Sequence, residues 1–151
     1  MKTYCVIGAK VRNTAVSVIE YLILKVLADK EEVVKALYDY FVEGLSPSSI
    51  AFRYGLSKHQ VRGYVQRIME KTGSALRAKA LMKYAVPLII KIKPVAKKLN
   101  ESMVACNVCG EELPLQIIED HIKKKHPEIV SECLYAVIDI LKKNMTIKSN
   151  R

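Results

Sequence analysis

The spacing of two cysteines and two histidines constrains this chain more than any other feature. Cys106 and Cys109 are separated by two residues, eleven residues lie between Cys109 and His121, and four lie between His121 and His126. The two thiolates lie on a tight hairpin, in which Gly110 permits the turn. The two imidazoles lie roughly one helical turn apart. Together they supply four ligands in a tetrahedron. The spacing therefore predicts a closed Zn²⁺ site. The alternative is that two unrelated cysteines and two unrelated histidines have this spacing by chance.

Residues 104–127, which surround these ligands, resemble a two-Cys two-His zinc finger with a spacer of 11 residues where 12 is commonest. In fingers of this family that read DNA, three helix positions contact bases. The resemblance places those positions at Pro114, Ile117 and Asp120. Proline and isoleucine cannot pair with base edges, and an aspartate repels phosphates. We therefore expect the finger to be structural or to dock a protein partner.

The positive charge of the chain is concentrated in its middle third. The net charge is +10. Residues 1–43 carry six Lys/Arg and six Asp/Glu, and residues 99–151 carry seven and eight, whereas residues 44–98 carry twelve Lys/Arg and the single acid Glu70. A localised positive field attracts a polyanion and speeds encounter with it. This distribution favours nucleic acid as a partner over the alternative of a solvated basic surface kept for solubility.

Residues 43–73 carry the signals of two short helices joined by a tight turn, the second at about residues 58–72. Ser46 and Ser57 suit the two N-caps, Gly55 permits the turn, and Gly73 ends the second helix. Apolar side chains are expected to close the corner and the inner face: Ile50, Ala51, Leu56, Val61, Tyr64, Val65 and Ile68. Polar residues and one glycine are left facing outward or along the edge: Lys58, His59, Gln60, Arg62, Gly63, Gln66 and Arg67. Arginine pairs with guanine and glutamine with adenine, so this face suits a major groove. The alternative is a tri-helical core with no ligand.

This segment resembles the LuxR/GerE-type helix-turn-helix and, more loosely, the fourth region of sigma factors. The resemblance covers roughly residues 31–73 and is carried by the following residues: Glu43, Gly44, Leu45, Ser46, Ile50, Ala51, Gly55, Leu56, Ser57, Val61, Arg62, Val65 and Ile68. It implies that double-stranded DNA is the partner. It implies base contacts from these residues: Lys58, His59, Arg62, Gly63 and Gln66. It implies phosphate contacts from Ser57, Arg53 and Arg67.

The periodicity of apolar residues predicts a mainly α fold in two parts. Residues 1–100 are expected to form a helical domain that contains the helix-turn-helix. Residues 101–151 are expected to form a small ββα zinc finger and a C-terminal helix. Further helices are expected at 14–29 (capped by Thr14), 30–43, 74–86 (ending before Pro87), 88–100 (interrupted at Pro94) and 128–143. Residues 2–12 are expected to form a short strand or extended arm, and Cys5 and Cys133 to lie in the core.

The function that fits these features best is a sequence-specific transcription regulator. Small readers usually act as symmetric dimers, and the apolar helices at 14–29 and 128–143 are both candidates for the dimer contact. The alternative is a nucleic-acid-binding accessory or architectural protein whose finger docks another protein. We expect no enzyme, because no nucleophile stands with a base at motif spacing and four protein ligands close a zinc site.

We expect an intracellular, cytoplasmic protein that does not contact membranes. The most apolar window, residues 15–28, is interrupted by Glu20 and Lys25 and is too short to span a bilayer. The chain starts without a basic stretch followed by an apolar run, so its cysteines should be reduced. Helix-turn-helix modules joined to single fingers resemble regulators of archaea and their viruses or plasmids, and a viral protein would act in the host cell.

Overall fold

A computed structural model describes the backbone of residues 6–149 and the side chains of residues 14–144. This part of the chain is mainly helical with a small antiparallel sheet, as the sequence predicts. Its helices are α1 (Val6–Leu27), α2 (Glu31–Phe41), α3 (Pro47–Tyr54), α4 (Lys58–Thr72), α5 (Ala75–Ile89), α6 (Ile118–Lys125) and α7 (Pro127–Ser149). Its strands are β1 (Ala96–Lys98), β2 (Met103–Cys106) and β3 (Glu112–Pro114), and a 3₁₀ turn at Leu115–Ile117 leads into α6.

The apolar core is centred on α1. Leu22 and Ile23 are fully buried, and each buried side chain of this size stabilises the fold by about 1.5–3 kcal/mol. The same cluster takes residues from α2, α4 and α5 and from the C-terminal part, where Val104, Ile118 and Ile122 are fully buried. The core is therefore continuous between the helices around α1 and the sheet with α6. The expected division of the chain at residue 100 stays a prediction.

The N-terminal end of α1 differs from the sequence prediction. Residues 6–12 are helical instead of extended, and Thr14 lies inside the helix instead of capping it. No proline interrupts this stretch, and each residue added to an existing helix gains a backbone hydrogen bond. Residues 2–5, including Cys5 as an expected core residue, lie outside the described part of the chain.

The α3–α4 pair forms where the sequence places two short helices. The Ser46 hydroxyl accepts a hydrogen bond from the backbone N–H of Ser49, and Pro47 occupies the first turn of α3. Gly55 ends α3 with a φ of 67°, a conformation that a residue with a side chain adopts at a cost. Ser57 caps α4 in a reciprocal arrangement with Gln60. A second apolar cluster closes the corner between α2, α3 and α4 and contains Ala36, Ile50, Ala51 and Val61.

The region after residue 86 overturns two sequence predictions. Helix α5 does not end before Pro87 but continues to Ile89. Pro87 is exposed, so the hydrogen bond that it cannot form and its clash with the preceding turn lie on the solvent side of α5. Burial of Val86 and Ile89 offsets the free energy that the proline costs the helix.

The helix expected at residues 88–100 is not present, and β1 stands in its place. Pro94 restricts the residue before it to extended conformations. The next residue, Val95, donates its N–H to the carbonyl of Leu27 at the end of α1 (2.9 Å) and accepts one from Asn107 (2.7 Å). Ala96 then pairs with Cys106. Partners from distant parts of the chain therefore determine the conformation of this segment.

The C-terminal helix α7 is longer than the expected 128–143. It begins at Pro127, a residue that suits a first helical turn, and packs against α1, α5 and α6. Val130 and Val137 are buried on the side facing those helices, and Cys133 is half-buried beside them. Burial raises the pKa of the Cys133 thiol, so this cysteine is a poor nucleophile.

Candidate metal centre and nucleic-acid interface

The four predicted ligands Cys106, Cys109, His121 and His126 lie together. Their ligand atoms are all within 4.8 Å of one another. The Sγ of Cys106 is 3.5 Å from Nε2 of His126, and the Sγ of Cys109 is 3.5 Å from Nε2 of His121. Cys106 and His126 are buried, whereas Cys109 is exposed. This cluster can hold a metal ion such as zinc.

The separations fit a tetrahedral zinc ion. Arms of about 2.3 Å to sulfur and about 2.0 Å to nitrogen leave S···N edges of about 3.5 Å in a tetrahedron. Both Cys–His pairs show that separation. Two thiolates and two imidazoles are also a typical ligand set of closed structural zinc sites, and they leave no position for a substrate.

The local backbone explains how the cysteines converge. Cys106 ends β2, and Cys109 lies in the turn that follows. Gly110 adopts a φ of 78° and donates its N–H to the carbonyl of Cys106 (2.7 Å). Cys106 in turn donates its N–H to the carbonyl of Glu111 (2.8 Å). These bonds close the turn and aim both sulfur atoms at the same point.

The two histidines converge because α6 ends between them. Five positions apart on a continuous helix, their side chains would point in different directions. Helix α6 stops at Lys125, and His126 adopts a non-helical conformation with φ −130° and ψ 51°. Pro127 then starts α7. The junction of the two helices thus turns His126 back towards His121.

Glu111 is a site residue that the spacing of the cysteines and histidines does not identify. Its carboxylate lies 3.2 Å from Nδ1 of His121. A ligand histidine commonly donates its second ring N–H to a carboxylate, which fixes the tautomer and the ring orientation. With Nδ1 facing Glu111, Nε2 of His121 is left to face Cys109. The signal available in the sequence was a glutamate two residues after a predicted cysteine ligand.

Helix α6 is held against the helical core by a second acidic residue with an unexpected role. Glu119 lies 2.9 Å from the Nζ of Lys25 on α1 and 2.6 Å from that of Lys30, which precedes α2. Its side chain is 22% exposed and those of the two lysines 11% and 16%. The adjacent Ile118 is fully buried. Glu119 therefore joins the helix that carries His121 to the helices around α1.

The pKa values of this group follow from burial and proximity. Burial alone would raise the pKa of Glu119, but hydrogen bonds and charge from Lys30 and Lys25 outweigh it and hold the pKa below its usual value. Burial lowers the pKa of Lys25, and Glu119 opposes that shift. Burial also raises the pKa of the neighbouring Tyr21 to about 12, so its hydroxyl stays neutral.

The residues predicted to contact DNA all lie on the surface of the α3–α4 pair. Those on α4 or at its cap are exposed: Ser57, Lys58, His59, Arg62, Gly63, Gln66 and Arg67. Within the described part of the chain, the cations Lys58, Arg62 and Arg67 form no ion pair. A Cβ added at Gly63 would meet nothing within 4 Å, so open space lies in front of this residue. Gln66 donates to Glu70 (3.0 Å). The outer face of α4 is thus open to solvent, and most of its positive charge is not paired with an acidic side chain.

Arg53 is exposed but already has an intramolecular partner. Its guanidinium donates to the Asp39 carboxylate (3.0 Å), and Tyr54 donates to the same oxygen (2.6 Å). Asp39 is buried on α2 and was not identified from the sequence. Burial and the bond to Asp39 raise the pKa of Tyr54, which keeps its hydroxyl protonated as a donor. The trio fixes the end of α3 against α2.

Further exposed cations follow the α3–α4 pair along the chain. Seven cations on α5 and on the segment after it are exposed: Arg77, Lys79, Lys83, Lys91, Lys93, Lys97 and Lys98. Of these, Lys98 lies 3.6 Å from the Glu32 carboxylate. Within residues 44–98, Glu70 is the one acid. A polyanion would therefore meet positive charge both on α4 and further along the chain.

Comparison with known proteins adds no relative. No family model matches the chain, and neither a curated protein nor a solved structure is found to be similar to it. Among the described helices, none has the length and apolar character needed to cross a membrane.

Proposed function

We propose that this protein is a DNA-binding transcription regulator in which α3 and α4 form a helix-turn-helix. The observation that carries the proposal is the outer face of α4, defined as the exposed residues Lys58, His59, Arg62, Gly63, Gln66 and Arg67. Lys58, Arg62 and Arg67 on this face form no ion pair with any residue whose side chain the structure describes, so their charges are available to a polyanion. A helix with exposed guanidinium and amide groups matches the donors and acceptors of a major groove.

In this proposal the start of α4 reaches the bases. Lys58, His59 and Arg62 lie on its first turns, with Gly63 leaving room for a base pair to approach. Ser57 and Arg67 flank them and contact phosphates, as do groups on α3. Arg53 uses only part of its five N–H donors on Asp39, so it retains donors for a phosphate. Base contacts then specify the sequence while phosphate contacts set the position of α4.

We propose that Zn²⁺ occupies the four-residue cluster and has a structural role. Cys106, Cys109, His121 and His126 would hold it, with Glu111 orienting His121. Bound zinc would cross-link β2, α6 and the start of α7. Support for the structural role comes from α6 itself, whose Ile118 and Ile122 are buried in the core and whose Glu119 is bound to two lysines.

Selection of bound sequences from a random pool of DNA duplexes tests the proposed function. We expect one enriched motif, and a palindromic motif would mean that two copies bind together. The variant Arg62→Ala should relax the preference at one base pair, at a cost of about 1–3 kcal/mol. Lys125→Ala removes an exposed cation from α6 and serves as the matched control, which should leave the motif unchanged. An unchanged motif in Arg62→Ala would contradict the assignment of α4 as the reader.

A second candidate function is sequence-independent binding to nucleic acid as an accessory or architectural protein. It is favoured by the seven exposed cations on α5 and after it, because contacts with phosphates carry no sequence information. Binding would then be equally strong to all duplexes and steeply dependent on salt. If no motif is enriched and the protein binds all duplexes equally in a salt-dependent way, the result favours this second function.

A further inference from the structure

Lys25 connects the helix that carries His121 with the helix proposed to read DNA. It lies on α1, its side chain is only 11% exposed, and its Nζ lies 2.9 Å from the carboxylate of Glu119 on α6. The same Nζ lies 5.3 Å from the ring centroid of Tyr64 on α4 and 5.2 Å from that of Tyr21 on α1. Both distances are within the range of a cation–π contact. One buried ammonium group therefore contacts both α6 and α4.

Helix α4 is attached to α1 at a second point close to Lys25. Lys71, in the last turn of α4, donates from its Nζ to the hydroxyl of Ser17 (3.0 Å). The same Nζ lies 5.7 Å from the ring centroid of Tyr21. Burial lowers the pKa of Lys25, and the positive charge of Arg67 on α4 adds to that effect. The inner side of α4 is therefore positioned on α1 around Lys25, while its outer face stays exposed.

The position of Lys25 depends on Glu119, and that of Glu119 depends on α6. A buried ammonium group without a counter-charge is costly, so Lys25 stays between the two rings only while the acid faces it. Glu119 precedes the candidate ligand His121 by two residues on α6. Burial of Ile118 and Ile122 keeps this helix in the core, and a metal ion on His121 would fix its rotation. Occupancy of the metal cluster therefore bears on Lys25 through Glu119.

We propose that Lys25 is a positioning residue of α4 and that it couples DNA binding to occupancy of the metal cluster. This inference rests on the proposed function, in which α4 reads DNA and Zn²⁺ occupies the cluster. With zinc bound, Glu119 holds the Lys25 ammonium group against Tyr64, and α4 keeps the position that fits a duplex. Without zinc, Lys25 loses its fixed counter-charge and α4 loses that single position. Zinc and DNA then favour the same state, so each raises the affinity for the other by the same factor.

The zinc affinity of the full-length chain tests the coupling, measured by competition with a chelator in the presence and absence of a saturating duplex of the selected sequence. We expect wild type to bind Zn²⁺ about tenfold more tightly with the duplex than without it. Lys25→Met keeps a long side chain but removes the charge, so this factor should fall below about twofold. Asp120→Asn changes the exposed neighbour of Glu119 on α6 and is the matched control, which should keep the tenfold factor.

Two variants at position 64 separate the contact with Lys25 from simple packing. Tyr64→Phe keeps the ring and should keep the tenfold factor. Tyr64→Leu keeps an apolar side chain without a ring and should lower the factor below about twofold. Far-ultraviolet circular dichroism and a zinc assay check that each variant is folded and loaded, and this pair decides the matter if Lys25→Met does not fold.

The coupling and the proposed function fail in different ways. The coupling is overturned if the duplex leaves the zinc affinity of wild type unchanged, or if Lys25→Met and Tyr64→Leu keep the tenfold factor. A duplex that is bound through α4 without a change in zinc affinity contradicts the coupling alone. A selected motif that Arg62→Ala leaves unchanged contradicts the proposed function instead.

Discussion

Helices α4 and α6 differ in whether their charged side chains are paired within the chain. On α4, Lys58, Arg62 and Arg67 are exposed and form no ion pair with any described residue. On α6, charged side chains are used within the chain: Glu119 binds Lys25 and Lys30, and Lys123 lies 3.3 Å from Glu20. Glu119 and Lys123 therefore attach the segment with the candidate metal ligands to α1 and Lys30, whereas three cations of α4 are left exposed for the proposed DNA partner.

If α4 binds DNA as proposed, this difference separates residues that stabilise the fold from residues that bind the partner. Changes at the metal cluster or at Glu119 should alter the free energy of unfolding, whereas changes on the outer face of α4 should alter binding and leave stability nearly unchanged. Variants of the two regions should therefore differ in whether stability or DNA affinity changes.

Loss of the metal should have the largest effect. Cys106→Ser removes one of four ligands, and structural zinc contributes folding free energy directly, so we expect a loss of ~5 kcal/mol or more in the C-terminal part. Thermal unfolding followed by circular dichroism, with a metal assay on the purified protein, measures it. Cys133→Ser is the matched control because Cys133 lies outside the cluster, and it should retain zinc. Full stability and zinc content in Cys106→Ser would refute the metal centre.

Removal of the charge that attaches α6 should have an intermediate effect. Glu119→Gln leaves the largely buried side chains of Lys25 and Lys30 without an acidic partner, and we expect a loss of about 1–3 kcal/mol in the free energy of unfolding, measured by chemical denaturation. The neighbouring Asp120→Asn breaks only an exposed pair with Lys124 and should cost less than about 0.5 kcal/mol. If the two variants are equally stable, Glu119 does not attach α6 to the core.

A smaller effect is expected at the end of α3, where Arg53 and Tyr54 bind Asp39. Asp39→Asn weakens the bonds from Arg53 and Tyr54, and we expect it to cost about 1–2 kcal/mol. Hydrogen exchange should show faster opening of α3 while α6 keeps its protection. Glu43→Gln, which changes an exposed acid just after α2, is the control. Unchanged exchange in α3 would show that this trio does not position the helix.

Local signals in the sequence were enough to predict the α3–α4 pair and the metal cluster. Ser46, Gly55, Ser57 and Gly73 determine helix ends through bonds to near neighbours, so their positions were predicted within a residue or so. The metal cluster was predictable because four ligands must converge on one ion. In both cases the physical constraint acts over a few residues or through a fixed coordination geometry.

The features that sequence reasoning missed depend on residues far apart in the chain. The strand at 96–98 forms because Val95 bonds to Leu27 and Ala96 pairs with Cys106, neither of which periodicity reveals. The role of Glu119 depends on Lys25, which lies 94 residues earlier. Pro87 was expected to end α5, but the burial of Val86 and Ile89 outweighs its local preference. Tertiary packing determines the local structure at these positions.

The most direct test of the account is the affinity of the purified protein for a fluorescent DNA duplex, measured by anisotropy at fixed salt. The double variant Arg62→Ala/Arg67→Ala removes two cations from the outer face of α4, and Lys124→Ala/Lys125→Ala removes two from α6. We predict that the first weakens binding about 100-fold with wild-type thermal stability, while the second stays near wild type. Equal affinities for all three proteins would contradict the claim that α4 reads DNA.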